Sequence, residues 1–475
     1  MRPAISNLKA AAAGASMLAL SACAALPPAT PAREAKALDA YAAARSLTAP
    51  ASPWPAETWW TRYGDPQLDA LMDEALAGSP TLAEAEARLG RAQAQTALAR
   101  TSLSPTLSGS ASAVEQKQSY KYLFPTQFLP KGYQDYGQAQ LNFSWELDFF
   151  GKNRAAIAAA SSRESAAAAD AAEARLVLTT SVASAYASLA QLCADRDLAA
   201  QALKLRQETA SLTAQRVANG LDTRAELNQA QAGPPASQAD LAAIDEEIAL
   251  TRDSLAALLG AGPDRGLAIT APKLPALAAF GLPPDARLNL IGRRPDVVAA
   301  RWRAQAASKD VRQIKAQFYP DISLTGFLGQ QSLHLSQLFA PGADIGAIGP
   351  AITLPIFEGG RLRANLRGAR SDRDAAVAQY DATLTEALRQ VADAAHSEAA
   401  LSDRLARSRE ALTSLEGAYT LARLRYQGGL STYQAVLIAE QAVLAQRRAV
   451  ADLESRAFSL DISLVKALGG GFRSA

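Results

Sequence analysis

Leu141 to Phe149 reads LNFSWELDF and alternates without a fault. Leu141, Phe143, Trp145, Leu147 and Phe149 fall on one side, Asn142, Ser144, Glu146 and Asp148 on the other. A period of two is that of a β-strand with one apolar and one polar face. TLSGSASA, Thr106 to Ala113, keeps the same period with small residues. The segment between them, Tyr120 to Tyr136, is rich in Tyr, Phe, Pro and Gly and reads as a loop. DISLTGFLG from Asp321 and IGPAITLPIF ending at Phe357 supply two more strands, the last weakened by Pro350 and Pro355. The expected strands cover about 105–118, 138–150, 320–332 and 344–357.

Strands of about ten residues with one apolar and one polar face are those of a transmembrane β-barrel. Four of them cannot close one, because about eight is the usual minimum. An open sheet edge is not tolerated in lipid. A barrel must therefore be shared between chains, and three chains would bring twelve strands. The competing reading is a pair of soluble hairpins packed on helices.

Each strand pair is followed by a very long helical tract. Asn153 to Ala218, about 66 residues, has no proline and no interior glycine, for a length on the order of 100 Å. Gly360 to Gln427 matches it, interrupted only by Gly368 and Gly417. Helices this long must lie along partners as coiled coils, and alanine on all sides suits close packing on more than one face. A lipid-anchored structural coiled coil without a pore is the alternative.

The chain repeats itself. RVANGLDTRAEL, Arg216 to Leu227, matches RYQGGLSTYQAV from Arg425 in its Arg, Gly, Leu and Thr. RAQA recurs at Arg91 and Arg303, and Pro105 answers Pro320. FFGKNR ending at Arg154 answers IFEGGR ending at Arg361, and LAALLG ending at Gly260 answers LVKALG ending at Gly469. The offsets fall between about 207 and 215 in unbroken order, which reads as a tandem duplication. Each unit runs helix, strand, strand, long helix, break, helix. Gly220 and the Gly428–Gly429 pair mark the breaks, since adjacent glycines cost a helix roughly 2 kcal/mol against alanine.

At the N-terminus, Arg2 and Lys9 precede a short apolar run from Ala10 to Leu20, too short to span a bilayer. It ends in LSAC, the form of a bacterial lipoprotein signal that leaves Cys23 as the acylated residue, with a plain signal peptide as the alternative. Ala24 follows where an aspartate would signal inner-membrane retention, so the outer membrane is the expected destination. Pro27 to Ala32 reads as an extended tether. The only other cysteine is Cys193, so an acylated Cys23 leaves no disulfide. His334 and His396 lie far apart, and no HExxH, CxxC or phosphate loop occurs. No enzyme, metal or cofactor site is expected. A net charge of +2 argues against nucleic-acid binding.

These features resemble the TolC/OprM family of outer-membrane efflux factors, in the lipoprotein branch called NodT-like. The resemblance covers nearly all of the mature chain. It is carried by WWTRYGDPQLDALMDEAL from Trp59, GRRPDVVAARWRAQAA from Gly292, FYPDISLTGFLG from Phe318 and LPIFEGGRLRANL from Leu354. Arg294-Pro295-Asp296 also has a local reason, proline and an acid suiting a helix start. The resemblance implies a mainly α protein with a membrane β-barrel. In it, four strands per protomer join in a homotrimer's shared twelve-stranded barrel, above a long α-helical barrel in the periplasm. It implies residues 1–22 as signal peptide, 23–58 as tether, 59–270 as first repeat and 271–475 as second. An equatorial girdle would come from the N-terminal segment, Gly262 to Gly292 and the C-terminus.

The implied role is a passive exit duct for drugs or other small molecules, docked to a periplasmic adaptor (membrane fusion) protein and an inner-membrane pump of the resistance–nodulation–division type. A channel for protein or peptide secretion is the alternative. The helix tips would meet the adaptor through Val217, Ala218, Asn219, Gly220, Leu221, Asp222 and Thr223, and through Tyr426, Gln427, Gly428, Gly429, Leu430, Ser431 and Thr432. Both tips are open to the plainer reading of simple helix turns. By the same resemblance, Tyr426 and Glu226 form the gate's hydrogen bond. Ser431 stands where some members carry an arginine, and Ala435 and Ile438 where some carry acids, so a lightly latched gate is expected. Pro234 and Pro235 lie in the helix after the first tip and predict a kink or short break near Gly233.

Overall fold

The structure, a computed structural model, describes residues 31–37, 40–43, 45–47, 49–121, 125–128, 130–273 and 281–474. Cys23, the signal segment 1–22 and part of the Gly262–Gly292 stretch lie outside the described residues. The helices are α1 Pro66–Gly78, α2 Pro80–Thr101, α3 Lys152–Ala218, α4 Arg224–Leu258, α5 Asp264–Leu267, α6 Ala286–Arg293, α7 Pro295–Ala316, α8 Arg361–Gln427 and α9 Tyr433–Ala467. The strands are β1 Thr106–Gln116, β2 Gln134–Leu147, β3 Asp321–Leu333 and β4 Asp344–Thr353. The chain divides into two compact units.

One unit holds residues 89–166 and 300–380, and with them the whole sheet. Its order is β1-β2-β3-β4, antiparallel throughout. The register sorts the residues by face. Leu107 pairs with Phe143, Leu141 with Leu328, Trp145 with Leu324, and Gly326 with Ile348. On the other face Ser110 pairs with Gln140, Ser108 with Asn142, and Ser144 with Thr325. Apolar side chains are left open on their face, Leu107 at 69% and Ile348 at 75% exposure. A soluble sheet buries such a face, whereas a barrel wall turns it to lipid.

The polar face is knitted along β2. Tyr136 donates to Gln138 Oε1 at 3.1 Å, Gln138 to Gln140 at 2.6 Å, Gln140 to Asn142 at 2.8 Å, and Asn142 to Ser110 Oγ at 3.2 Å. Three expected strand ends move, the first being the start of β2 at Gln134, which takes Gln134 to Tyr136 out of the expected loop and pairs them with Gln116 to Val114. β2 stops at Leu147 because Asp148 turns away to accept from the backbone N–H groups of Asn153 and Arg154 at the start of α3. β4 stops at Thr353, ahead of Pro355, while Pro350 is held in a strand with a neighbour on one side only. Beneath the sheet Val311, Phe318, Leu362 and Leu366 form a small core, and Phe150 stacks on Tyr319 at 4.9 Å.

The second unit holds residues 36–88, 167–299 and 381–475. Its core gathers Trp59, Trp60 and Tyr63 with Leu68, Leu71 and Met72 of α1, against Val182, Tyr186 and Leu189 of α3, Leu255 of α4 and Val465 of α9. The GDPQ stretch starts α1 as its chemistry dictates. Asp65 accepts from Gln67 N and Leu68 N, Pro66 takes the first helical position, and Tyr186 donates to Asp65 at 2.7 Å. Arg294, 6% exposed, forks onto Asp296 at 3.0 and 2.6 Å and donates to Gln390 at 2.8 Å, so this motif is built into the fold.

The break expected at Gly233 is absent. α4 is continuous through Pro234 and Pro235. The prolines leave the carbonyls of Ala230 and Gln231 without their helical donors. Tertiary contacts hold the helix there: Ala230 and Ser237 are each 2% exposed, and Arg206 crosses Gly233 to donate to Ser237 Oγ at 2.8 Å. A Cβ on Gly233 would stand 3.3 Å from that arginine's Cδ, so the glycine makes room for the crossing.

Asp461 of α9 accepts from Tyr63 at 2.5 Å and pairs with Arg62. Glu398 of α8 faces it, and burial with that like charge lifts the Glu398 carboxyl to about 7. A raised carboxyl favours folding below the unfolded value of 4.5 and loses that advantage as pH climbs through 7. Glu398→Gln is expected to raise the thermal midpoint at pH 8 and to give no gain at pH 4, measured by thermal unfolding at both values.

Candidate gate and docking site at the helix tips

Both long helices end in the same device. At the end of α3, Gly220 N donates to Val217 O at 3.0 Å and Leu221 N to Arg216 O at 2.8 Å. At the end of α8, Gly429 N donates to Tyr426 O at 3.0 Å and Leu430 N to Arg425 O at 2.8 Å. These are Schellman caps, which require a left-handed residue. Gly220 and Gly429 supply it at φ 72° and 73°. The duplication has thus preserved a backbone motif. Leu221 and Leu430, the next residues, stand 63% and 74% exposed. Ala218, Asn219, Thr223, Gln427, Gly428 and Thr432 are exposed too, while Val217 and Ser431 are half-buried.

Tyr426 joins the two tips and is fully buried. Its hydroxyl donates to Asp222 Oδ2 at 2.5 Å and lies 3.2 Å from the Thr213 hydroxyl. Arg216 closes the cluster. It donates to both Asp222 oxygens at 2.8 and 3.2 Å and to the Tyr426 carbonyl at 2.9 Å, with its guanidinium 4.4 Å from the Tyr426 ring centroid. The Arg216 and Asp222 side chains are only 12% and 8% exposed. Bonding to Arg216 holds the Asp222 carboxyl below the usual carboxylate range. Burial, and then the bond to Asp222, push the Tyr426 phenol up to about 12. The cluster is therefore an anion, a cation and a neutral phenol at any ordinary pH. Ala230, Tyr433 and Val436 pack around Tyr426.

The expected Tyr426–Glu226 bond is corrected by this geometry. Glu226 is the third residue of α4 and is claimed by its own helix start. Its carboxylate accepts from Thr223 N at 2.7 Å while Thr223 Oγ1 accepts from Glu226 N at 3.3 Å, a reciprocal capping box. Asp222, one residue before the cap, is left to receive the tyrosine. Ser431 brings no charge to the cluster. Arg216 was visible in the sequence only as the repeated arginine four residues before each tip glycine.

A β-sheet with a bare apolar face and open edges, joined to paired helices of 67 residues that end in matched turns, defines the protomer of a membrane channel with a helical extension. The sequence profile of the outer membrane efflux protein family matches residues 71–261 and 288–470, and the chain belongs to that family. It is 32% identical over 431 residues to the multidrug resistance outer membrane protein MdtP of Shigella flexneri, covering 89% of this chain and 88% of that one. The crystal structure of the outer membrane protein VceC of Vibrio cholerae aligns with TM-score 0.85 and 45% identity, over 88% of this chain and all of the other. The outer-membrane channel OprN aligns with TM-score 0.84 and 28% identity, over 94% and 99%. This protein is an outer-membrane efflux channel, and its TolC-like fold serves as an exit duct.

Proposed function

We propose that three copies of this chain close a twelve-stranded barrel by pairing β4 of one with β1 of the next. Both strands have a neighbour on one side only, which supports the reading. Acylation of Cys23 anchors each protomer to the outer-membrane lipid. Drugs or other small molecules, the cargo suggested by relatives named for multidrug resistance, pass through without chemistry. The pump is of the proton-driven resistance–nodulation–division type and reaches the duct through a periplasmic adaptor.

The observation that carries this reading is the Arg216–Asp222–Tyr426 clamp, which ties the two hairpin tips of one protomer together. The clamp holds the periplasmic end shut. The adaptor seats on Leu221 and Leu430 and opens it. Leucines left in water at two matched tips are what an apolar docking contact leaves in the free protein. Joint replacement Leu221→Asp, Leu430→Asp is expected to abolish efflux-dependent drug resistance while leaving trimer yield and bilayer conductance intact. Resistance at the wild-type level would refute the docking role.

A further inference from the structure

The polar face of the sheet is an uncharged wall with one charged cluster at its base. From Thr106 to Ser112 on β1 and from Gln138 to Ser144 on β2 this face presents only hydroxyls and amides, and Ser323, Thr325 and Gln331 of β3 continue it beside Phe327 and Gly329. Ile345, Ala347, Gly349, Ala351 and Thr353 of β4 add no charge. The charged residues in register with this face are Glu146, opposite Ser323, and Asp321, opposite Thr353. Both stand at the end of the sheet where the chain enters α3 and leaves α7. Lys152, the first residue of α3, reaches between them. Its Nζ is 2.7 Å from Glu146 Oε1 and 2.9 Å from Asp321 Oδ1. Two more carboxylates at this base are answered by their own arginines, Asp148 by Arg154 and Glu358 by Arg361. One lysine thus answers two carboxylates, which leaves this three-residue cluster with one net negative charge. Asp321 keeps 53% of its side chain open to solvent.

We infer that Lys152 sets the charge selectivity of the duct at the base of its barrel. This rests on the trimeric channel reading above. In a trimer three such clusters carry three net negative charges at the foot of an uncharged strand face, so the wild-type pore favours cations weakly. Rings of like charge act on passing ions within about a Debye length, about 10 Å at 0.1 M salt. The duplication points the same way. The matching stretch IFEGGR has Gly359 where FFGKNR has Lys152, so each protomer supplies one such lysine and not two.

The test is the reversal potential of purified trimers, all opened at the tips by Asp222→Ala, in planar bilayers across a tenfold KCl gradient. Lys152→Gln doubles the ring charge and is expected to raise the potassium-to-chloride permeability ratio at least two-fold. Asp321→Asn removes the net charge and is expected to lower the ratio toward one, and Lys152→Arg is expected to keep the wild-type ratio. Both shifts should shrink at 1 M salt. Ratios unchanged in Lys152→Gln and Asp321→Asn, with currents present, would overturn the assignment and leave the duct standing. If Lys152→Gln fails to form trimers, Asp321→Asn alone decides through its opposite shift. Folded trimers of wild type and variants that pass no current would overturn both the assignment and the duct reading.

Discussion

Cells whose only copy of this duct carries Asp222→Ala are expected to leak. The substitution removes the acceptor shared by Tyr426 and Arg216 and leaves a guanidinium 12% exposed with no carboxylate beside it. Hydrogen bonds to charged groups contribute about 1.5–3 kcal/mol each, and the group left behind adds its own desolvation cost. A loss of about 2 kcal/mol moves a closed–open equilibrium roughly 30-fold. Uptake of a large hydrophilic antibiotic or dye, normally excluded by the outer membrane, should rise by at least ten-fold. Glu226→Ala removes only a helix cap, about 0.5–2 kcal/mol local to α4, and should leave uptake close to wild type. The reverse ranking would restore Glu226 as the gate acid and remove Asp222. Acid should not mimic the Asp222 variant until the pH falls below the ordinary carboxylate range, because the clamp's carboxyl is depressed and stays ionised above it.

The second large effect separates the two faces of the sheet. Leu141→Arg places a charge on the apolar face, opposite Leu328. An arginine facing lipid near the middle of the bilayer costs about 2–4 kcal/mol per chain, repeated three times in a trimer. Trimers of this variant should be absent from the outer membrane. Ser110→Arg, one residue from Gly109 that faces Leu141 across β1 and β2, turns the same group to the polar face. It should insert and trimerise normally while lowering the current. Equal yields from the two variants, read by heat-modifiable trimers in outer-membrane fractions, would refute the face assignment.

The parts of this fold that were legible in the sequence are those where one local rule faced no competitor. The alternation from Leu141 to Leu147 meets no rival pattern, so strand, face and membrane followed. At Asp148 a second rule entered: the polar-face parity continues, but the first turn of α3 needs an acceptor, and the cap wins over the strand. The tips were legible because only glycine suits the left-handed cap at Gly220 and Gly429. The gate acid was not, because two carboxylates lie within five residues and the choice turns on which one the helix start consumes. Glu226 is consumed by Thr223, and Asp222 is free for Tyr426. Pro234 and Pro235 misled for another reason. Proline's cost is local, but the support from Arg206 and the buried Ser237 is tertiary and leaves no mark in the sequence. Lys152 and Asp321, 169 positions apart, meet only because β2 and β3 are neighbours in the sheet.

Single-channel conductance of the purified protein in a planar bilayer, wild type beside Asp222→Ala, tests the central claim that this chain builds a duct shut by its helix tips. Wild-type currents should be small and flickering and should enlarge several-fold in the variant. Large and equal currents from both would contradict the clamp, and silence from both, with folded trimers in hand, would contradict the duct.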